Sequence, residues 1–102
     1  MTVITSCYKY GVRMDEQYYL TTHAPLVRRV WGAQGLERIE IRKLSAAADG
    51  SPPPYQMIMS TYFPSVETFQ AALQHASSAE VLGDVKNYYD GMPELFIGEV
   101  VG

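Results

Sequence analysis

Residues 55–63, YQMIMSTYF, alternate with the two-residue period of a β-strand yet carry apolar bulk on both sides. Tyr55, Met57, Met59 and Phe63 fall on one face, and Ile58 and Tyr62 on the other. A strand that is apolar on both faces belongs in a sheet covered on both sides. Working outward, the preceding stretch SAAADGSPPP (45–54) combines small residues, Asp-Gly and three prolines, which makes it a surface loop. Before it, residues 36–44 alternate Arg38, Glu40 and Arg42 with Ile39 and Ile41, as a strand with one solvated face does. Downstream, Ser65 caps a helix whose buried stripe is Val66, Phe69, Ala72, Leu73 and Ala76. Ser77 with Glu80 then spells a capping box for a shorter helix through Val81, Leu82 and Val85. NYYDGMP (87–93) reads as a turn, and 95–101 as a last strand, apolar on both faces.

At the other end of the chain, residues 2–10 alternate as a first strand and Gly11 breaks it. Asp15 is a good N-cap, Met14 is placed to staple onto Tyr19, and Tyr19, His23, Leu26, Val27 and Val30 form a stripe at helical spacing, closing near Gly32. The order βαββααβ predicts an α+β fold, one domain over residues 1–102, with a four-stranded antiparallel sheet carrying its helices on one face. The other face would expose a large apolar patch, so a homodimer with two sheets face to face is expected.

Composition narrows the function. With 102 residues, 47% hydrophobic and 19% charged, the chain is globular and not disordered. Eight basic against eleven acidic residues give a net charge of -3, so nucleic acid is not an expected partner. The single Cys7 excludes an internal disulfide framework and points to the cytoplasm. No apolar run reaches the length of a membrane span, and the start MTVITSCYKYG has no basic region or long apolar core of a secretory signal. A soluble, complete chain with no membrane partner is expected. Eight tyrosines against three phenylalanines and one tryptophan are the unusual feature, since tyrosine suits wet cavities and interfaces.

The segment DEQYYLTTHAPL (15–26) departs most from a plain amphipathic helix. Pro25 removes the backbone bond to Thr21 and clashes with that carbonyl, at a cost of about 3 kcal/mol or more. Either a packing kink absorbs this, with the Thr21 or Thr22 hydroxyl serving freed backbone groups, or the helix bends to open a cavity beneath it. His23 lies four residues after Tyr19, so both project toward the sheet. There His23 is either a neutral histidine hydrogen-bonded to a carbonyl or a general acid/base poised near neutral pH. A lone inward histidine cannot fill a coordination shell, so no metal is expected. His75 at the end of its helix faces water, and Cys7 sits mid-strand without an adjacent base. Tyr88 and Asp90 lie in the turn before the last strand, where tyrosines can line a pocket mouth and the aspartate can cap backbone N–H groups.

Asp15, Tyr18-Tyr19, His23 and Pro25-Leu26, then Pro54-Tyr55, Phe69, Asn87-Tyr88, Asp90 and Pro93, resemble the EthD family over essentially the whole chain. Residues 89–92 and the 45–54 loop depart from the pattern. The resemblance implies the dimeric α/β barrel superfamily: ferredoxin-like protomers whose sheets meet as a barrel, each with a cleft between sheet and helices. Its relatives include ether-degradation proteins and enzymes that isomerise lactones, cyclise or dehydrate polyketides, or oxygenate aromatics without a cofactor. The resemblance thus implies His23 and Tyr19 as catalytic residues, with Tyr88, Tyr55, Tyr62 and Asp90 around a small apolar or aromatic ligand. No phosphate-binding glycine loop and no haem or flavin motif is present, so no cofactor is expected. The expected function is cofactor-independent proton transfer, of lyase, isomerase or cyclase type, on an oxygenated metabolite in catabolism or polyketide-type metabolism. The alternatives are a non-catalytic binding protein of a degradation pathway and a purely structural dimer.

Overall fold

In the computed structural model, which describes residues 1–102, segment 55–63 is strand β3 (Tyr55–Phe63), paired on both sides. β1 (Thr2–Lys9) and β2 (Arg38–Lys43) flank it, and β4 (Glu94–Glu99) adds to the far side of β1. The sheet order β2-β3-β1-β4, all neighbours antiparallel, is the ferredoxin-like one. The first helical region has three consecutive parts: α1 (Glu16–Tyr18), a π-helical turn (Tyr19–His23) and α2 (Ala24–Gly32). After β3 come α3 (Val66–Gln74), α4 (Ser78–Gly83) and a 3-10 turn (Val85–Asn87).

Register fixes which side chains meet the helices. Ile4 lies opposite Thr61, Tyr8 opposite Met57, and Ile41 opposite Met59, so these residues share the helix-bearing face. They join Val27, Val30 and Trp31 of α2, Phe69 and Ala72 of α3 and Val81 of α4 in one buried core. Phe63 is fully buried and packs edge-on against Trp31 and Phe69, with ring centroids 6.1 and 5.4 Å away. Each such aromatic pair adds about 0.5–1.5 kcal/mol beyond area burial. A polar thread runs through this core: the Trp31 indole N–H donates to the Ser78 hydroxyl at 2.7 Å, and Ser78 donates to the Ala72 carbonyl at 2.6 Å. It ties α2 to the junction of α3 and α4.

Helix α2 ends in a Schellman motif. Leu36 N–H reaches the Trp31 carbonyl at 3.0 Å and Gly35 N–H the Gly32 carbonyl at 3.5 Å. Gly35 takes φ +104°, and a Cβ there would lie 2.6 Å from Thr68 Cγ2. Asp15 and Ser65 cap their helices as expected, accepting from Tyr18 and Thr68 N–H. Ser77 does not. It is already helical in backbone and makes no cap bond, because its hydroxyl and N–H engage His75 Nδ1 instead.

Two features of the sheet differ from the sequence reading. β4 is an edge strand that the helices do not cover, so Leu95, Phe96 and Ile97 are exposed. The register between β1 and β3 shifts at Tyr8/Lys9, so Tyr55 pairs with Lys9 and leaves the Met57 face. The face turned away from the helices therefore carries Val3, Ile58, Tyr62 and Phe96, with the Arg38 guanidinium stacked 4.0 Å above the Tyr62 ring.

Candidate functional site

The site begins with Pro25. Lacking an N–H, it cannot bond the Thr21 carbonyl, and the chain answers by widening just ahead of it. The Ala24 N–H bonds back five residues to the Tyr19 carbonyl, and the Thr21 hydroxyl donates to the Gln17 carbonyl at 2.7 Å. Single π-turns inside helices recur at functional sites because they re-aim side chains. Here the turn sets the Tyr19 and His23 rings in a stack, 5.6 Å between centroids and 16° between planes, both buried against the sheet. The Thr21 hydroxyl thus serves the Gln17 carbonyl and not the Thr21 carbonyl that Pro25 frees, and His23 at the end of this turn lines the cavity described next.

His23 is 3% exposed and bonded at both nitrogens. Nδ1 lies 2.9 Å from Asp84 Oδ2, and Nε2 lies 3.2 Å from the Tyr88 hydroxyl. Tyr88 OH in turn lies 2.7 Å from Tyr8 OH. Asp84 also accepts from Tyr18 OH at 2.6 Å and from Asn87 Nδ2 at 2.9 Å. Burial pushes His23 below the ordinary histidine value, against the upward pull of Asp84. Burial works to raise the Asp84 carboxyl, but the bonds from Tyr18, Asn87 and His23 outweigh it and hold it below its usual range.

The contacts of the imidazole assign the protons. A neutral imidazole beside a carboxylate keeps its hydrogen on Nδ1, donated to Asp84, so Nε2 is a lone-pair acceptor. Tyr88 must then donate to His23, and Tyr8 must donate to Tyr88. Burial raises the pKa of Tyr8, Tyr19 and Tyr88 above the ordinary phenol value, so all three stay protonated. The result is a one-way chain, Tyr8 to Tyr88 to His23 to Asp84, in which the bare Nε2 of His23 is the atom that can take up a proton. The Tyr19 hydroxyl, fully buried, has no hydrogen-bond partner.

Tyr8, His23 and Tyr88 form the polar end of a cavity of about 50 Å³, whose remaining wall includes Val27, Trp31 and Met59. An apolar pocket with a few convergent polar groups is the usual form of a small-molecule site. The structure brings Tyr88 and Tyr19 to His23, as the sequence reading expects. It does not bring Tyr55, Tyr62 or Asp90 there. Tyr62 points to the opposite face by strand alternation. Tyr55, carried over by the register shift, has its phenol raised chiefly by the Glu94 carboxylate beside it. Asp90 neither caps a helix nor reaches the cavity: both its oxygens pair with Arg13 at 2.9 Å. Cys7 is buried on the far face, and burial raises its thiol pKa.

Asp84 and Tyr8 are the members the sequence reading missed. Asp84 sits 61 positions from His23, and Tyr8 reads only as one apolar residue in a strand. The pattern around Asp84, DVKNYYD, holds a signal: Asp84 precedes Asn87 and Tyr88 by one helical turn, so one short element presents all three. No group of three or more His, Cys, Asp or Glu side chains is arranged to hold a metal ion.

The sheet order and the helices on one face define a ferredoxin-like α+β protein with a buried acid–base cluster between its layers. The chain belongs to the EthD family: the EthD domain matches residues 13–92. It is similar to an EthD-like protein of Ralstonia eutropha, at 35% identity and TM-score 0.88 over 99% of this chain and 92% of that one. An ethyl tert-butyl ether (EthD) family protein of Bacillus halodurans shares the fold at 22% identity and TM-score 0.82, over 99% of each chain. A dimeric protein of ferredoxin-like fold from Bacteroides fragilis does so at 10% identity and TM-score 0.58, over 97% and 94%. No curated protein matches the chain. No helix is long and apolar enough to cross a membrane.

Proposed function

We propose that this EthD-family chain is a cofactor-independent enzyme that moves a proton on a small, largely apolar, oxygenated molecule, with His23 as acid/base. The observation that carries the reading is the orientation of His23, whose Nδ1–H is fixed on Asp84 while Nε2, at the cavity end, holds only a 3.2 Å bond from Tyr88. That bond is easily exchanged. When a carbonyl compound enters, the Tyr88 hydroxyl turns from Nε2 to the carbonyl oxygen. Nε2 then takes a proton from the adjacent carbon, and the electron pair moves onto the oxygen as an enolate. The enolate accepts from Tyr88 and Tyr8, and the imidazolium, held by Asp84, returns the proton to the same or a neighbouring atom. Tyr19 positions the imidazole by stacking and does not touch the reacting atoms.

The test is proton exchange. Wild-type protein in D2O should exchange the α-hydrogens of cyclopentanone or γ-butyrolactone faster than buffer does, read by proton NMR, and His23→Ala should lose this while keeping its circular dichroism. Exchange that survives His23→Ala would remove His23 from the chemistry. A second reading, a binding protein for a partner enzyme, draws on the small volume of the cavity, and it predicts binding of these probes without exchange.

The same proposal pairs two protomers sheet to sheet in the cytoplasm. It is supported by the far-face apolar side chains, among them Phe96 at 53% exposed, by the buried single cysteine, and by the dimeric Bacteroides relative. Sedimentation should give twice the 11.4 kDa chain mass, and Phe96→Glu should give the monomer; a monomeric wild type would remove this part of the proposal.

A further inference from the structure

A cavity of about 50 Å³ holds only a few waters, each of which needs about 10–15 Å³ of such space. Any molecule large enough to carry chemistry therefore reaches outside it. Against the cavity lies a second void, an open groove of about 660 Å³ formed by α4, the 3-10 turn and the segment before β4. Leu82 and Val85 line both. Both residues thus stand between cavity and groove, and Leu82, 48% exposed, is the less buried of the two.

The groove has a definite chemistry. Leu82, Val85, Tyr89 and Met92 give it an apolar lining, and Met92 is 78% exposed at the rim, an unfavourable place for a large apolar side chain that covers nothing. Gly91 keeps one side low: a Cβ there would press within 3.2 Å of the Tyr89 ring. Two charged residues line it, Lys86 and Asp90. The Asp90 carboxylate is neutralised by the two-pronged Arg13 pair, whereas Lys86 makes no ion pair with any acidic side chain. A chain of net charge -3 thus presents one uncompensated cation beside an apolar trough.

We propose that this groove binds the body of an elongated apolar molecule ending in a carboxylate or similar anion, with Lys86 holding the anion and Leu82 moving aside to let the other end into the His23 cavity. The role of the inner end rests on the reading of His23 given above; binding in the groove does not.

The probes are 4-phenylbutanoate and its uncharged match 4-phenylbutan-1-ol, titrated into the whole protein with methyl-carbon NMR of Leu82, Val85 and Met92. Both should shift these methyls, the acid more tightly. Lys86→Ala should weaken the acid about threefold to fivefold, the scale of one exposed ion pair, and leave the alcohol unchanged. Leu82→Glu should weaken both, and the acid at least tenfold. Lys43→Ala, which removes a cation that lies outside the groove and pairs with Glu16, should leave both affinities within twofold, and the proton-transfer reading is tested separately by the deuterium exchange above. The proposal is overturned if the groove methyls do not move, or if Lys86→Ala weakens acid and alcohol alike.

Discussion

Replacing Asp84 by alanine removes the acceptor shared by His23, Tyr18 and Asn87. The three donors are not equally harmed. Tyr18 and Asn87 are partly exposed and can turn to water, but the His23 Nδ1–H is buried and has nowhere to go. A stranded buried donor costs about 1–3 kcal/mol. Moving the ring proton to Nε2 does not help, because Nε2 would then face the Tyr88 hydroxyl as donor against donor until Tyr88 also turned. Taking about 2 kcal/mol as the net loss, a domain of this size should melt about 8–16 °C lower. The assay is thermal denaturation followed by circular dichroism at pH 7.5 and one fixed protein concentration, since assembly itself shifts Tm. Asp90→Ala is the control, because its two 2.9 Å bonds to Arg13 are as short but lie in solvent, where such pairs contribute little. A Tm for Asp84→Ala within about 2 °C of wild type, or a larger fall for Asp90→Ala, would refute the assignment of Asp84 as the anchor of His23.

Other consequences are measurable on the same samples. Ser78→Ala strands the Trp31 indole N–H, whereas the Ala72 carbonyl keeps the His75 N–H at 3.2 Å, and should cost about 1–3 kcal/mol in chemical denaturation; an unchanged midpoint would mean that water replaces the hydroxyl. Gly35→Ala places a Cβ in the left-handed region against Thr68, so it should destabilise while Gly11→Ala, strained in backbone but with nothing near its Cβ, should cost less. Because the folded state holds His23 below its ordinary value of about 6.5, its neutral form favours folding. That contribution is complete above about pH 6.5 and is lost as pH falls from there through the folded pKa. His23→Gln should flatten this part of the stability profile, and an unchanged slope would place the titration elsewhere.

Much of the fold was legible because two periodicities dominate it. The alternation of 2–9 and 55–63 and the stripe Tyr19, His23, Val27, Val30 state the strands, the first helix and its buried face. Where a local signal competed with a longer-range one, the reading slipped. Ser77–Glu80 has the letters of a capping box, but His75 captures Ser77 first. Tyr55 alternates with Met57 on paper, and a one-residue register shift against β1 turns it to the other face. The site was half legible for the same reason. Pro25 marks a disturbed helix and His23 an inward imidazole, both within one segment, whereas the acceptor that fixes the imidazole comes from a turn far along the chain. Only packing of α4 against α2 brings Asp84 to His23, and no spacing rule encodes it.

The protonation state of His23 decides whether its Nε2 can accept a proton from a molecule in the cavity. Long-range proton–nitrogen NMR on uniformly labelled protein at pH 7 reports both ring nitrogens at once, and His75 serves as the exposed internal reference. The structure predicts a neutral ring with its proton on Nδ1, a bare Nε2, and a pKa below the ordinary histidine value that falls further in Asp84→Asn. A ring charged at pH 7, or one carrying its proton on Nε2, would contradict the directed chain from Tyr8 to Asp84 and the proton transfer built on it.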